Sequence, residues 1–517
     1  MKSQVKFSFL KIWLYLLPYA GIHLLFLTRF PHMHSDESWL AGLSRNMLLQ
    51  GDLGVTETFF DAKPRYPHAI KTLFHLLQIG MIRAFGYSLF SVRLLSLIVG
   101  CCCLFVFYLC ARRLFRRDSF AFLCMLALSL DVQFIEAIHF ARSEIFICLG
   151  LCLCLLLLLS ERLTRRLVLL AGLVTGICVF IHPNSFLLAC SCGAVLFYRC
   201  GLRQKNFALI GWYAGITGAF AALAIGFSFS FDKDFIRHYL ANGQESFNVL
   251  APVGEKIGEV YGFFSRIWSQ SSGTYFMPDI RIQGVLFLSA AFICTVFAIV
   301  MKNEMPEQTE KLISLLSAGL GVIAGITVIG RFNQTSILFL FPIGWLLTAA
   351  MFSILSENRC AWFLAGAGML MLWVSLVSIR PWLSTSYDAY LDRIAQFVPK
   401  NARVLANLNT DFYFEDGMLR DYRNLPYAMK EQGIPAYILD NDIEYILYSD
   451  ELDFIYQNRP NFNPIYGNSL FVEELENFCQ NNCTPIGSFF DPVFGVRIQN
   501  LIGRGEYGTV TIYRVNH

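Results

Sequence analysis

Two adjacent carboxylates follow the first long apolar stretch of the chain. Asp36 and Glu37 lie in the sequence His-Ser-Asp-Glu-Ser-Trp (34–39), just after apolar residues 7–27. A carboxylate in this position can take a proton from a hydroxyl group and so act as a general base. The pair also suits a helix start, because Ser35 or Asp36 would cap the first amides and Glu37 is favourable in the first turn. On these residues alone, capping is the simpler interpretation.

Charged residues recur farther along the chain. Lys63 and Arg65 belong to a Lys-Pro-Arg stretch, and Arg331 follows much later. Arg offers a planar fork to phosphate oxygens and Lys a compact charge, so all three side chains are chemically suited to binding a phosphate group. Contact with anionic lipid head groups is the alternative for Lys63 and Arg65. Arg142 and Glu144 lie close enough in sequence to pair with each other, either as structural residues or in a polar cavity.

His182 precedes Pro183 and Asn184 in a predicted tight turn. Turn chemistry explains the proline and the asparagine, whereas His182 could face a polar cavity inside the membrane domain. Asp36, Glu144 and His182 could together coordinate a divalent ion, although no ligand spacing demands one. We therefore predict no required cofactor and no defined metal site, with a divalent metal as an open possibility.

The elements that must position these residues are membrane helices. The chain has 517 residues, of which 55% are hydrophobic and 15% charged, with a mean hydropathy of +0.50; an ordinary soluble domain has about a quarter charged residues. A hydrocarbon core of about 30 Å needs roughly 20 apolar residues per helix. The sequence predicts about eleven spans, near residues 8–28, 90–111, 119–138, 144–160, 167–182, 184–199, 207–229, 281–301, 312–330, 336–355 and 361–379. The first resembles a signal peptide, but it is longer than a typical cleaved one and no small-residue cleavage site follows, so we expect it to be retained as the first span.

Basic residues in short connections predict the orientation. Alternate connections share an excess of Lys and Arg: Arg112, Arg113, Arg116, Arg117, Arg162, Arg165, Arg166, Arg199, Arg203, Lys205, Lys302, Lys311 and Arg359. The short connections between them contain only Arg142 and Arg331. We expect the N-terminus to be cytoplasmic and the segment after residue 380 to lie outside, and we expect the membrane to be a bacterial inner (plasma) membrane. The net charge of +3 gives no basic excess for nucleic acid.

The chain divides into a transmembrane domain, residues 1–380, and a soluble extra-cytoplasmic domain, residues 381–517. Two long outer loops, 28–89 and 231–280, interrupt the first. The second domain, residues 381–517, has a helix-like stretch, Asp388–Phe397, and strand-like stretches at 403–408, 444–448 and 510–514. These stretches predict a small α/β domain. Most of the sixteen cysteines lie in apolar runs and act as small apolar residues. Cys479 and Cys483 lie in a polar segment, and we expect them to form a disulfide if it faces an oxidising compartment.

The order of several short motifs resembles a known family. The motifs are Asp36-Glu37, Gly51-Asp52, Lys63-Pro64-Arg65, Phe85-Gly86, Arg93, Ala-Arg-Arg-Leu-Phe at 111–115, Phe-Ala-Arg-Ser-Glu at 140–144, and Arg331-Phe332. They resemble those of the polyprenyl-phosphate-sugar-dependent glycosyltransferases of the GT-C fold, which include protein O-mannosyltransferases and lipid A aminoarabinose transferases (glycosyltransferase family 39-like). The likeness covers roughly residues 30–200, and the rest only in layout. Arg65 replaces the family's second proline, Glu144 its usual aspartate, and Phe332 a frequent tyrosine.

The resemblance implies a GT-C-like polytopic enzyme that moves a sugar from a polyprenyl-phosphate carrier to an acceptor hydroxyl or phosphate at the outer membrane face. The acceptor would be a glycan, lipid or protein. Asp36 is then the expected general base, and Glu37 would orient the acceptor or the neighbouring loop. The remaining expected site residues are Glu144 as a further catalytic group, Lys63, Arg65 and Arg331 on the leaving phosphate, and Arg142 and His182 in the cavity.

A polytopic transporter or flippase of a lipid-linked or anionic solute is the alternative from another functional class. Such a protein is expected to carry charges near the midplanes of its spans and to contain inverted repeats. In this sequence the charges cluster at the predicted outer boundary, and no internal symmetry is evident.

Overall fold

The apolar segments of the first 380 residues are helical, because a helix satisfies its own backbone hydrogen bonds in lipid. The computed structural model describes residues 2–247, 250–270, 274–330, 332–458, 460, 468–497 and 506–516. Its first helices are α1 (Lys2–Leu24), α2 (Ser35–Gln50), α3 (Thr72–Phe85), α4 (Leu89–Phe115), α5 (Asp118–Ser129), α6 (Val132–Ile138), α7 (Glu144–Leu158) and α8 (Arg165–Val179). They are followed by α9 (Ser185–Leu196), α10 (Phe207–Phe231), α11 (Phe235–Phe247), α12 (Val253–Ser269), α13 (Arg281–Val300), α14 (Pro306–Ile329), α15 (Leu340–Leu355) and α16 (Cys360–Ile379).

The chain is an α-helical integral membrane protein, as predicted. In the described part of the chain, seven helices are long and apolar enough to cross a membrane, and the bent pair of α5 and α6 would make eight. All eleven predicted segments are helical. The helices α7 and α8 have 15 residues each, which corresponds to about 23 Å and is shorter than the hydrocarbon core. The sequence had already predicted short segments here, near 144–160 and 167–182.

Close helix packing holds the bundle together. The helices α9 and α14 approach so closely at Gly321 that a Cβ atom there would lie 2.6 Å from the Cys190 carbonyl oxygen. Small residues permit such approaches in membrane bundles. Deeper in the bundle, fully buried Trp345 donates its indole hydrogen to Asp131 at 3.1 Å. This contact joins α15 to the break between α5 and α6.

The C-terminal domain is the predicted small α/β unit. Its helices are α17 (Tyr387–Ala395), α18 (Leu425–Glu431), α19 (Ile434–Asp440), α20 (Glu451–Asn458) and α21 (Phe471–Asn482). Its strands are β1 (Val404–Ala406), β2 (Leu419–Asp421), β3 (Tyr445–Ser449), β4 (Cys483–Phe490) and β5 (Thr509–Val515), in the order β2-β1-β3-β5-β4. The β2, β1 and β3 strands are parallel, and β5 is antiparallel to both β3 and β4. The predicted helix and three predicted strands are confirmed.

The disulfide prediction is wrong for this structure. Cys479 near the end of α21 and Cys483 at the start of β4 both have free thiols. Both side chains are buried in the apolar core that α21 forms with the sheet. In such surroundings a cysteine packs as a small hydrophobic residue.

The C-terminal domain packs on the first long loop, residues 28–89. Arg45 donates to Asp411 at 3.2 Å and to Asp416 at 3.1 Å, and the Tyr87 hydroxyl donates to the same Asp411 carboxylate. Asp61 in turn pairs with Arg420 at 2.8 Å. The two domains therefore meet at the loop that carries the sequence-predicted site residues.

Candidate active site

The start of α2 is capped by His34 rather than by Ser35 or Asp36. The His34 Nδ1 atom accepts a hydrogen bond from the Asp36 amide at 3.0 Å, and the His34 amide donates to the Glu37 carboxylate at 3.0 Å. The capping alternative drawn from sequence is thus wrong for the Asp36 side chain. Because His34 and Glu37 satisfy the helix start, the Asp36 carboxylate is available for other contacts.

Glu37 forms a fully buried ion pair with Arg93 of α4. The Arg93 Nε and Nη2 atoms lie 2.8 and 2.7 Å from the two Glu37 oxygens, and both side chains have 0% exposure. Arg93 also donates to the carbonyls of Leu27 and Pro31 at 2.9 and 3.0 Å. Glu37 accepts a further bond from the Ala141 amide at 2.9 Å. Of the two roles expected for Glu37, these contacts fit the orientation of the neighbouring loop.

Asp36 lies beside residues from two distant segments. Its Oδ2 atom accepts hydrogen bonds from Arg142 at 3.1 Å and from the Tyr275 hydroxyl at 2.6 Å. The Tyr275 ring stacks on His34 with centroids 4.2 Å apart. The Asp36 side chain is 23% exposed, so one side of it remains accessible. No sequence motif marked Tyr275, which belongs to the second long loop.

The pKa of Asp36 is lowered from its ordinary value. Burial acts to raise this pKa, but the nearby His34 and Arg142, the hydrogen bond from Tyr275 and the charge of Arg497 together lower it. Asp36 is therefore an ionised carboxylate at neutral pH.

Arg142 joins Asp36 to Glu144. Its Nη2 atom lies 2.8 Å from Glu144 Oε1, which also accepts a bond from the Thr335 hydroxyl at 3.0 Å. Among the described residues, the buried Glu144 Oε2 has no hydrogen-bond partner. It lines a small pocket with Arg142, Thr335 and Glu136. The sequence-predicted Arg142–Glu144 pair is thus present, and it extends the site inward from Asp36.

Three positive side chains surround one pair of aromatic rings, Trp39 and Phe60. The Lys63 Nζ atom lies 5.7 and 5.5 Å from the two ring centroids. The Arg65 guanidinium lies 4.9 and 5.7 Å from them, and that of Arg423 lies 4.4 and 4.6 Å away. Such distances are typical of cation–π contacts. We call these three side chains and two rings the cation cluster.

The carboxylates nearest the cation cluster are already engaged. Glu57 receives both arms of Arg65, at 2.7 and 2.8 Å, and the Trp39 indole also donates to it. Asp421 accepts from the Arg423 Nε atom at 2.7 Å. Within the described part of the chain, Lys63 forms no ion pair with a carboxylate. The cluster therefore has an excess of positive charge.

Burial and neighbouring guanidinium groups lower the pKa of Lys63 to about 7. Burial is the largest cause, followed by the charges of Arg423 and Arg65. The charge of Arg497 acts on both Lys63 and Asp36, and the charge of Asp36 acts on Arg423. The cation cluster and the Asp36 carboxylate thus belong to one electrostatically connected region.

Two of the predicted site residues are not part of this region as described. Arg331 lies outside the described residues. His182 is buried between α8 and α9, where its Nδ1 atom accepts a bond from the Asn184 amide at 3.0 Å, which is a turn contact. In the described chain, the side chains that lie close enough together to hold a metal are the thiols of Cys103, Cys148 and Cys152. They lie on α4 and α7, not on the loops around Asp36.

No protein-family model matches the sequence, and no curated protein matches it significantly. Among solved structures, the chain is similar to ArnT from Cupriavidus metallidurans bound to undecaprenyl phosphate, with 16% identity and a TM-score of 0.44, over 97% of this chain and 98% of that one. It is also similar to the oligosaccharyltransferase of Archaeoglobus fulgidus in the apo form, with 12% identity and a TM-score of 0.49, over 89% of this chain and 72% of that one. The oligosaccharyltransferase AglB of the same organism, in complex with an inhibitory peptide and a dolichol-phosphate, gives the same values.

Proposed function

We propose that this protein is a membrane glycosyltransferase that takes a sugar from a polyprenyl-phosphate carrier. The acceptor oxygen attacks the sugar carbon bonded to the carrier phosphate, and that carbon–oxygen bond breaks. The acceptor proton passes to Asp36, and the carrier leaves as polyprenyl phosphate. The observation that carries the proposal is the cation cluster, an excess of positive charge around two aromatic rings that is electrostatically connected to the ionised Asp36 carboxylate.

The charge balance of the cluster favours a phosphate as its ligand. A departing phosphate gains negative charge during the reaction, and fixed positive groups stabilise such charge best where water is excluded. Lys63 and Arg65 are the predicted residues that lie in the cluster. Arg65 forms a two-bond ion pair with Glu57, whereas Lys63 forms no ion pair with a carboxylate of the described residues. Arg331 remains a sequence-based prediction for this role.

The low pKa of Asp36 bears on its role as base. A general base works best when its pKa lies near the working pH. In the free protein the pKa of Asp36 lies well below that pH, so its carboxylate is a weak base. A bound carrier phosphate would place negative charge near Arg497 and the cluster. That charge would offset the cations that act on Asp36 and raise its pKa toward the useful range. We therefore expect donor binding to activate the base, with Glu144 and Arg142 holding its surroundings.

An assay in proteoliposomes tests the function against the transporter or flippase alternative. Purified protein is mixed with polyprenyl-phosphate-linked sugars of several kinds and with candidate hydroxyl and phosphate acceptors. A transferase consumes the lipid-linked sugar and produces free polyprenyl phosphate. A flippase moves the intact lipid across the bilayer without consuming it. Movement without any consumption, over the whole panel, would contradict the proposal.

We expect the affinity for polyprenyl phosphate to fall as the pH rises above 7. Lys63 loses its proton near pH 7 in the free protein, whereas a bound phosphate holds that proton, so binding takes up a proton above this pH. The decrease is at most about tenfold per pH unit. The carrier phosphate has a second pKa of about 6 and changes little between pH 7 and 9. Affinities measured over this range in Lys63→Arg, whose charge does not titrate, should be nearly constant. Equal slopes in both proteins would exclude Lys63 as the titrating group.

We also propose that the N-terminus is cytoplasmic and that residues 381–517 face the periplasm or its equivalent, at a bacterial inner membrane. The excess of basic residues in alternate connections supports this orientation. Reporter fusions at residue 440 check it: a reporter active only outside the cytoplasm should be active there, and a cytoplasmic fluorescent reporter should not. The reverse pattern would also place the Asp36 region on the wrong side for an outer-face reaction.

A further inference from the structure

We infer that Arg423 of the C-terminal domain donates a hydrogen bond to the phosphate of the carrier lipid, so that the donor site is complete only when the two domains are docked. This inference rests on the proposed function for the identity of the ligand. The phosphate-binding residues predicted from the sequence were Lys63, Arg65 and Arg331, all within the first 380 residues, and nothing in the sequence pointed to a contribution from beyond residue 380.

The buried side chain of Arg423 has one hydrogen-bond donor that no described residue satisfies. It is 3% exposed, its Nε atom is bound to Asp421, and its Nη2 atom has no hydrogen-bond partner among the described residues. A buried, unpartnered guanidinium donor is costly, because the group has lost its water. A phosphate oxygen satisfies such a donor with a charge-assisted bond.

The turn that carries Arg423 is hydrogen-bonded to the loop segment that carries Lys63. Residues 422–424 form a short 3-10 turn after β2. The Asp421 amide and the Asn424 side-chain nitrogen both donate to the Phe59 carbonyl, at 3.2 and 2.9 Å, and the Lys63 amide donates to Asn424 Oδ1 at 3.1 Å. These three bonds hold the positive side chains of the two domains around the same pair of rings.

The geometry also separates this role from simple domain docking. Arg420 lies three residues before Arg423 and pairs with Asp61 of the same loop at 2.8 Å. It also donates to the Thr58 carbonyl at 3.2 Å. Arg420 is thus a docking contact outside the cation cluster, and it provides a matched control.

The test is the binding of sugar-free polyprenyl phosphate to the purified full-length protein in nanodiscs. We expect Arg423→Gln to weaken binding by about 10- to 100-fold, which corresponds to the loss of one hydrogen bond to a charged group. Arg420→Gln should bind within about threefold of wild type. Arg423→Lys keeps the charge but not the planar fork, so its affinity should fall between those of wild type and Arg423→Gln.

Thermal unfolding of each variant identifies any loss of folded protein, and Arg423→Lys serves as the reporter if Arg423→Gln does not fold. Wild-type affinity in the Arg423 variants would overturn the inference, and so would equal losses in the Arg423 and Arg420 variants. The assay involves no transfer step. Arg423-dependent binding without sugar transfer would therefore contradict the proposed function and support the inference, whereas transfer with Arg423-independent binding would do the opposite.

Discussion

Replacing Asp36 with Asn should reduce sugar transfer by about 10² to 10⁴ while leaving the protein folded and able to bind polyprenyl phosphate. A positioned general base contributes about this factor. The Asn side chain keeps the size of Asp36 and can still accept the bond that Tyr275 donates at 2.6 Å. It cannot take the proton of the acceptor. The rate of release of polyprenyl phosphate, measured under single-turnover conditions, gives the effect on the chemical step.

The structure makes this substitution more decisive than the sequence did. Because His34 and Glu37 cap α2, the change at Asp36 removes no cap. A matched control is Asp279→Asn, since Asp279 lies four residues after Tyr275 and pairs on the surface with Arg281 at 2.5 Å. We expect this control to transfer sugar at the wild-type rate. Near wild-type transfer by Asp36→Asn would show that Asp36 is not the base.

Replacing Arg93 with Met should destabilise the protein by about 3–5 kcal/mol. Removing one partner of a buried ion pair leaves the other charge buried and uncompensated, and both Arg93 and Glu37 have 0% exposure. Arg93 also holds the carbonyls of Leu27 and Pro31, so the loop that leads to Asp36 loses its anchor. The free energy of unfolding in mixed micelles measures the loss. We also expect little transfer activity in the protein that remains folded.

Two further variants identify the cause. In the double variant Arg93→Met with Glu37→Gln, no charge is left buried, so we expect it to recover part of the lost stability. Arg117→Met breaks an ion pair with Glu357 in which the side chains are 54% and 74% exposed, and it should cost less than about 1 kcal/mol. A cost at Arg93 as small as that at Arg117 would contradict the assigned role of the buried pair.

The helical framework could be predicted from the sequence because its signals are local. Apolar runs of membrane length predicted the helices of residues 1–380, and alternating or branched residues predicted β1, β3 and β5. The strand β4 was missed because Pro485 and Gly487 interrupt its pattern and it lies at a sheet edge, where such residues are tolerated. The strand β2 has three residues, too few to show any alternation.

The candidate site was predictable only in part, because only the residues that form a local pattern in the sequence could be recognised. Asp36, Lys63 and Arg65 lie within one loop, and their motif order could be recognised along the chain. The family resemblance assigned the base to Asp36 and an orienting role to Glu37, but which carboxylate is buried in an ion pair and which remains accessible depends on contacts made across the fold.

Long-range packing alone decided the rest of the site. Tyr275 reaches Asp36 from 239 positions away, and Arg423 reaches the rings of Trp39 and Phe60 from the other domain. Neither residue belongs to a local pattern, because the free energy that places them comes from domain docking and helix packing rather than from their neighbours in sequence. The sequence by itself determined the membrane helices, the acidic pair and the loop cations. The tertiary structure decided which acid is available and brought the second domain's arginine to the cations.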